Sequence, residues 1–167
     1  MSTSSFSFLA RTEADTERLG AAVAAVAEPG IVIALIGHLG AGKTRFVRAF
    51  AAAAGADPAQ VASPTFMLIH EYEARWPIYH FDTYRLGDAG EFLDLGWDEI
   101  SSGDGVCCVE WADRVSDVLP DDHLRIEITA TGDTERQFQF QAQGPRTVRL
   151  LTRLQEHLAA NSVDAAD

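Results

Sequence analysis

An apolar run, IVIALI at residues 31–36, leads directly into GHLGAGKT and then into an alanine-rich stretch with no proline or glycine before Gly55. Six consecutive apolar residues without alternation fit a strand covered on both faces, as in a parallel sheet. The segment that follows reads as a helix over residues 43–54, closed by Gly55. The turn between them satisfies G-x-x-x-x-G-K-[ST], the Walker A pattern, through Gly37, Gly42, Lys43 and Thr44. Glycines let such a loop bring its backbone N–H groups close around phosphate oxygens, where a Cβ would obstruct. The helix that begins at Lys43 adds the positive end of its dipole. Gly37, His38, Leu39, Gly40, Ala41, Gly42, Lys43 and Thr44 are therefore the candidate phosphate-binding residues. Lys43 is the cation for the β and γ phosphates, and the Thr44 hydroxyl is placed to bind Mg²⁺. The His38 side chain is expected to face solvent.

The rest of the chain alternates strands and helices around that central run. Thr12 and Asp15 are spaced as a capping box, with Leu19, Val23 and Val26 on one helical face ended by Glu28, Pro29 and Gly30. Residues 65–72 and 77–81 read as strands, 88–95 as a short helix, and 106–109 as a second buried strand. Residues 124–131 and 137–143 alternate around Gly132 and Asp133, which predicts an antiparallel hairpin near a sheet edge. A closing helix is expected over residues 147–160. The expected fold is α/β: one three-layer P-loop NTPase-like domain over residues 1–167. Its sheet is mixed and mainly parallel, with a C-terminal antiparallel hairpin. The ends, about 1–5 and 160–167, are read as frayed.

Composition narrows the function. Thirteen Lys and Arg against twenty-five Asp and Glu give a net charge of −12, which argues against binding of DNA or any other large polyanion by this chain alone. Eleven of the acids lie between Leu86 and Asp122 with one basic residue, Arg114; this is a solvated face or a docking surface for a basic partner. No stretch approaches a membrane span and the start lacks a secretory pattern, so the chain is expected in the cytoplasm. Cys107 and Cys108 are adjacent within an apolar run and read as reduced core residues.

Hydrolysis or transfer needs a carboxylate near the metal, at the end of a neighbouring strand. Val106-Cys107-Cys108-Val109-Glu110 and Ile78-Tyr79-His80-Phe81-Asp82 both supply one. Glu110 is preferred for Mg²⁺ and Asp82 for positioning or deprotonating the attacking water, although the sequence permits the exchange. Ser63-Pro64-Thr65 is either a strand-entry turn or a loop that senses the γ-phosphate. His80 and Arg85 flank Asp82 and could orient it or meet phosphate. Thr12, Thr16 and Arg136 could approach the base or ribose. The absence of N-K-x-D and L-S-G-G-Q runs disfavours a GTPase and an ABC ATPase, leaving ATP by elimination. Three functions stay open: an ATPase, a small-molecule kinase with Asp82 as base, and a nucleotide-gated binding module.

The ordered set GHLGAGKT, SPTF followed by EY, HFDTYRL, FLDLGWDEI and VCCVEWADRV, ending near Leu119-Pro120, resembles the TsaE family, formerly YjeE. That family is the small ATPase of bacterial tRNA threonylcarbamoyladenosine modification. The resemblance implies a P-loop ATPase of low activity alone that works with TsaD and TsaB. Its ATP cycle would reset their complex between turnovers, and tRNA would be met only indirectly. Carried across by position, Gly37 to Thr44 would hold the triphosphate, and Thr44 and Glu110 the Mg²⁺. Asp82 would serve hydrolysis, Thr65 would belong to a nucleotide-sensitive loop, and Trp111 would lie beside the site. Two departures stand out: His38, where the family usually has an acidic or amide residue, and Arg45, where a second Thr is common.

Overall fold

The run after Gly30 becomes β2 (Val32–Ile36), the middle strand of a sheet covered on both sides. The structure, a computed structural model, describes residues 4–61 and 68–166, with side chains as far as Asn161. Among these residues the sheet has seven strands in the order β1-β7-β6-β2-β5-β4-β3. The others are β1 (Ser4–Ala10), β3 (Ile69–Tyr72), β4 (Ile78–Asp82), β5 (Val106–Glu110), β6 (Leu124–Ala130) and β7 (Arg136–Ala142). The four central strands, β6, β2, β5 and β4, are mutually parallel. Antiparallel pairing appears toward both margins, β3 on β4 and β7 on β6 and β1.

Pleat parity divides the apolar residues between two cores. Ile33, Leu35, Ile126 and Phe138 face α1 (Glu13–Val26), α2 (Lys43–Ala53) and α5 (Pro145–Ala166), which contribute Leu19, Val23, Phe46, Phe50, Leu151 and Leu154. Val32, Ala34, Phe81, Cys107 and Val109 face the opposite way. They meet Phe92 of α3 (Ala89–Leu93), Trp97 of α4 (Trp97–Ser101) and Val115 of a 3-10 segment, Ala112–Val118. Phe81 lies edge-on to both Phe92 and Trp97, at 5.3 Å between ring centres in each case, a favoured aromatic geometry. The three-layer α/β arrangement is thus present. Burial pushes the Cys107 thiol up to about 12 and Cys108 well above its ordinary value, so both stay neutral and free. No helix among the described residues is long and apolar enough to cross a membrane.

Several boundaries differ from expectation. Ser4 and Ser5, assigned to a frayed start, are the first residues of β1, which pairs with β7 along its full length. Phe6 sits 5.7 Å from its cross-strand partner Phe140, and β1 rather than the hairpin becomes that sheet edge. The short helix expected over 88–95 ends at Leu93, and a further turn, α4, starts after Gly96 in a left-handed conformation at φ 88°. Helix α5 starts at Pro145 and continues to Ala166, past the expected end at 160. Ser63, Pro64 and Thr65 lie outside the described residues.

The start of α5 is fastened by a distant acid. Asp122 accepts hydrogen bonds from the backbone N–H groups of Arg146 (2.9 Å) and Thr147 (3.1 Å) and from the Thr147 hydroxyl (2.6 Å). Partial burial works upward on its carboxyl, but the Thr147 hydroxyl, the two N–H groups and the Arg146 charge outweigh it and hold the pKa below the usual range. A carboxylate with a depressed folded pKa contributes stability above its unfolded pKa, about 3.9. That contribution is lost as pH falls through the folded value. Asp122→Ala is expected to cost about 1–2 kcal/mol at neutral pH, lowering Tm by roughly 2–4 °C per kcal/mol. Thermal unfolding at pH 7 and again under acid checks it, and the difference between variant and parent should shrink in acid.

Candidate active site

Local geometry builds the loop first. Gly42 occupies the left-handed region at φ 111° and caps α2 with no side-chain hydrogen bond. Gly37 is required for space, since a Cβ there would sit 2.7 Å from the Ile128 carbonyl oxygen of β6. The first intrahelical bond of α2 runs from the Phe46 N–H to the Gly42 carbonyl at 2.9 Å, so the N–H groups of Lys43, Thr44 and Arg45 have no helical partner. Helix α1 provides the contrast. There the Thr12 hydroxyl accepts from the Asp15 N–H while the Asp15 carboxylate accepts from the Thr12 N–H. One helix is sealed by its own side chains and the other opens on solvent.

Arg136 braces the loop from behind, donating to the carbonyls of Ala41 (2.9 Å), Gly132 (2.8 Å) and Glu135 (2.9 Å). Its guanidinium is therefore a support for the loop as well as a lining group of a small cavity, about 110 Å³, with Thr16, Gly40 and Thr134. Thr12 is occupied as the α1 cap. His38 is exposed, and Arg45 forms an ion pair with Glu13 at 3.2 Å.

The carbonyl-edge acids come together through strand register. Asp82 and Glu110 are register partners at the C-terminal ends of the parallel pair β4 and β5, and both are buried. With Leu39, Gly40, Gly42, Lys43, Thr44, Arg45 and Trp111 they line one cleft of about 280 Å³. A larger hollow, about 460 Å³, lies between α1 and α2 among Glu17, Arg45, Arg48 and alanines; it brings together no acid pair or loop amides, so size alone does not select the site.

Within the cleft the Thr44 hydroxyl lies 3.0 Å from each oxygen of Glu110. Lys43 donates to the carbonyls of Gly37 (2.6 Å) and His38 (3.0 Å), and its ammonium stands 4.0 Å from the centre of the Trp111 ring. Burial lowers the Lys43 pKa, with the charges of Glu110, Asp82 and Asp113 acting in the opposite direction. Burial also raises the Asp82 carboxyl and the Glu110 charge adds to it, while the hydrogen bond from the Tyr84 N–H (2.9 Å) pulls the other way.

Two residues passed over in the sequence shape this end of the sheet. Thr83 is fully buried; its hydroxyl donates to the Trp111 carbonyl (2.7 Å) and lies 3.1 Å from the Glu110 carbonyl, to which its backbone N–H donates (3.2 Å). These bonds hold Trp111 at φ 59°, a left-handed conformation that costs a non-glycine residue about 1–3 kcal/mol. Tyr84 then packs against Trp111 with the rings tilted at 43° and 4.8 Å between their centres. Both directly follow Asp82 in sequence, and this adjacency was the available signal. His80, set beside Asp82 by sequence, turns instead to Glu110, with Nε2 2.5 Å from Oε2. Arg85 is exposed next to this turn.

The donor set suits a hard divalent cation: a hydroxyl and a carboxylate, both oxygen, beside the uncapped start of α2. No group of three or more His, Cys, Asp or Glu side chains able to hold a metal occurs among the described residues.

The family model described as threonylcarbamoyl adenosine biosynthesis protein TsaE matches residues 10–138. A tRNA threonylcarbamoyladenosine biosynthesis protein TsaE from Bacillus subtilis is 44% identical over 144 residues, covering 86% of this chain and 89% of that protein. The protein of the same name from Treponema pallidum is 39% identical, covering 77% and 95%. The crystal structure of Bacillus subtilis YdiB superposes with a TM-score of 0.79 at 36% identity, covering 94% of this chain and 98% of that one.

Proposed function

The chain belongs to the TsaE family of threonylcarbamoyl adenosine biosynthesis proteins, and from that membership we propose that it is a Mg²⁺-dependent ATPase of the cytoplasm that supports a TsaD–TsaB pair in tRNA threonylcarbamoyladenosine modification. The observation that carries this reading is the uncapped start of α2 beside Lys43, with the Thr44 hydroxyl on the Glu110 carboxylate. Free N–H groups at a helix start, a lysine and a hydroxyl–carboxylate pair are what a metal-bound triphosphate needs.

In this reading the loop from Gly37 to Thr44 would hold the β and γ phosphates, with Lys43 supplying the cation for them. Thr44 and Glu110 hold Mg²⁺, which when bound neutralises charge on the phosphate oxygens. Asp82 accepts the proton of the attacking water as its oxygen bonds to the γ-phosphorus and the bond to the β–γ bridging oxygen breaks. Burial of Asp82 favours its protonated form, which suits a group that takes up a proton. Trp111 walls the cleft, and Tyr84 packs against it. The small cavity around Thr16, Gly40 and Arg136 takes the nucleoside end, and Thr65 belongs to the loop that responds to nucleotide. A chain of net charge −12 reaches tRNA through its partners, since its own phosphate affinity is low. Nine of the eleven acids between Leu86 and Asp122 are exposed, a surface suited to basic partner residues.

The test is phosphate release from ATP by the purified chain, with Mg²⁺ or EDTA, alone and with the cognate TsaB–TsaD pair. Release that requires Mg²⁺ and rises when the pair is added is expected. No rise, with ATP bound and the pair active, removes the partner-coupled reading, and a phosphorylated small molecule in place of free phosphate makes the chain a kinase.

A further inference from the structure

The group behind Glu110 is as ordered as the groups in front of it. His80 is 0% exposed and spans two partners: its Nε2 lies 2.5 Å from Glu110 Oε2 and its Nδ1 lies 3.0 Å from the Tyr72 hydroxyl. Tyr72 is itself buried, and its hydroxyl lies 3.4 Å from Nδ1 of the half-buried His70. All four side chains stand on the sheet face toward α2. His70 and Tyr72 alternate on β3, His80 follows on β4, and Glu110 ends β5. An ionised carboxylate only accepts, so Nε2–H donates to Glu110. In a neutral imidazole, with one donor and one acceptor nitrogen, Nδ1 then accepts from Tyr72. The dipoles of tyrosine and imidazole then run in one direction, toward the carboxylate that faces Thr44.

We propose that His80, held by Tyr72, is a positioning residue that fixes the Glu110 carboxylate for the divalent cation; the proposal rests on the reading of Glu110 as the Mg²⁺ ligand. If position 80 served packing alone, an apolar side chain would do it at lower cost. A buried imidazole loses free energy unless both nitrogens are satisfied, and here one of the two is satisfied by Glu110. With Oε2 held by His80 and both oxygens 3.0 Å from Thr44, the carboxylate has one orientation before any cation arrives. Hydrogen-bond partners behind a ligating group hold it in place, and their loss costs about 10–100-fold in metal affinity or activity.

Two substitutions separate positioning from packing. His80→Gln keeps a donor where Nε2 stood, and His80→Asn keeps polarity near Nδ1 but falls short of Glu110. ATP affinity is measured by calorimetry in EDTA and across a Mg²⁺ titration, with thermal unfolding of each variant. His80→Asn is expected to need about 10–100-fold more Mg²⁺ to reach the same ATP affinity, with affinity in EDTA unchanged and excess Mg²⁺ restoring the parent value. His80→Gln should retain most of the Mg²⁺ response, and Tyr72→Phe should show a smaller loss in the same direction. A Mg²⁺ titration of His80→Asn that overlays the parent, whatever its Tm, overturns the proposal. Glu110→Gln is the control for the premise. If it abolishes the Mg²⁺ response while His80→Asn does not, positioning alone fails; if it leaves the response intact, the metal-ligand reading of Glu110 fails and the proposal falls with it.

Discussion

Lys43→Ala is expected to lower phosphate release by at least about 10²-fold, with or without the partner pair, because it removes the only lysine in the chain from the place where the proposed mechanism develops transition-state charge. Loss of a single preorganised donor at such a place costs about 10²–10³-fold, and here the donor carries a full charge. The structure adds a second reason. Lys43 is 5% exposed and ties together the Gly37 and His38 carbonyls and the Trp111 ring. Alanine therefore loosens the start of the loop and leaves Trp111 without its cation, a contact worth about 0.5–1 kcal/mol at exposed sites and more when desolvated. The variant should consequently bind ATP more weakly and unfold at a slightly lower temperature. Phosphate release, ATP calorimetry and thermal unfolding on one preparation check all three effects. Parental release from a folded Lys43→Ala protein would detach the loop from the chemistry.

The parts of the molecule legible in sequence are those whose signal is contiguous. The loop from Gly37 to Thr44 is read from eight adjacent residues, and its flanking strand and helix follow from apolar continuity and helix propensity. The Thr12–Asp15 capping box works because both reciprocal hydrogen bonds lie within four residues. Strand β1 is not legible in sequence although Phe6 and Phe8 alternate with serines, because an edge strand takes its order from its partner and β7 lies more than a hundred residues away. Helix α4 is one turn long, and its start depends on the left-handed Gly96 rather than on any periodicity.

The site divides in the same way. That Asp82 and Glu110 each end an apolar strand is visible locally; that they end level with one another depends on the register of β4 on β5, which places Asp82 opposite Glu110 and His80 opposite Cys108. From sequence His80 belongs with Asp82, two residues away on the same face. Register puts Glu110 two residues beyond Cys108 on the neighbouring strand, on the same face and within reach of the imidazole, so the nearest acid in sequence is not the hydrogen-bond partner. The left-handed Trp111 has no sequence signal either, since the Thr83 bonds that hold it come from another strand's end.

Asp82→Asn is expected to separate binding from hydrolysis. Asparagine keeps an oxygen for the Tyr84 N–H, which Asp82 accepts at 2.9 Å, so the turn into Thr83 and the Trp111 conformation survive. What disappears is the proton acceptor of the proposed mechanism, and general-base contributions of about 10²–10⁴-fold set the expected fall in phosphate release, with ATP affinity in Mg²⁺ near that of the parent. Stability should move the other way. Burial, reinforced by the Glu110 charge, raises the Asp82 pKa in the folded state, so the ionised form is disfavoured by folding. For a carboxyl raised in this way the penalty is absent below its unfolded pKa and complete above its folded one. At neutral pH Asp82→Asn removes that penalty, and its Tm should equal or exceed the parent's, with the margin shrinking as pH falls through the folded pKa toward the unfolded value. A lower Tm together with lost ATP binding would make Asp82 a structural acid. Parental hydrolysis with binding intact would transfer water activation to Glu110, the other carboxylate at the end of the same strand pair.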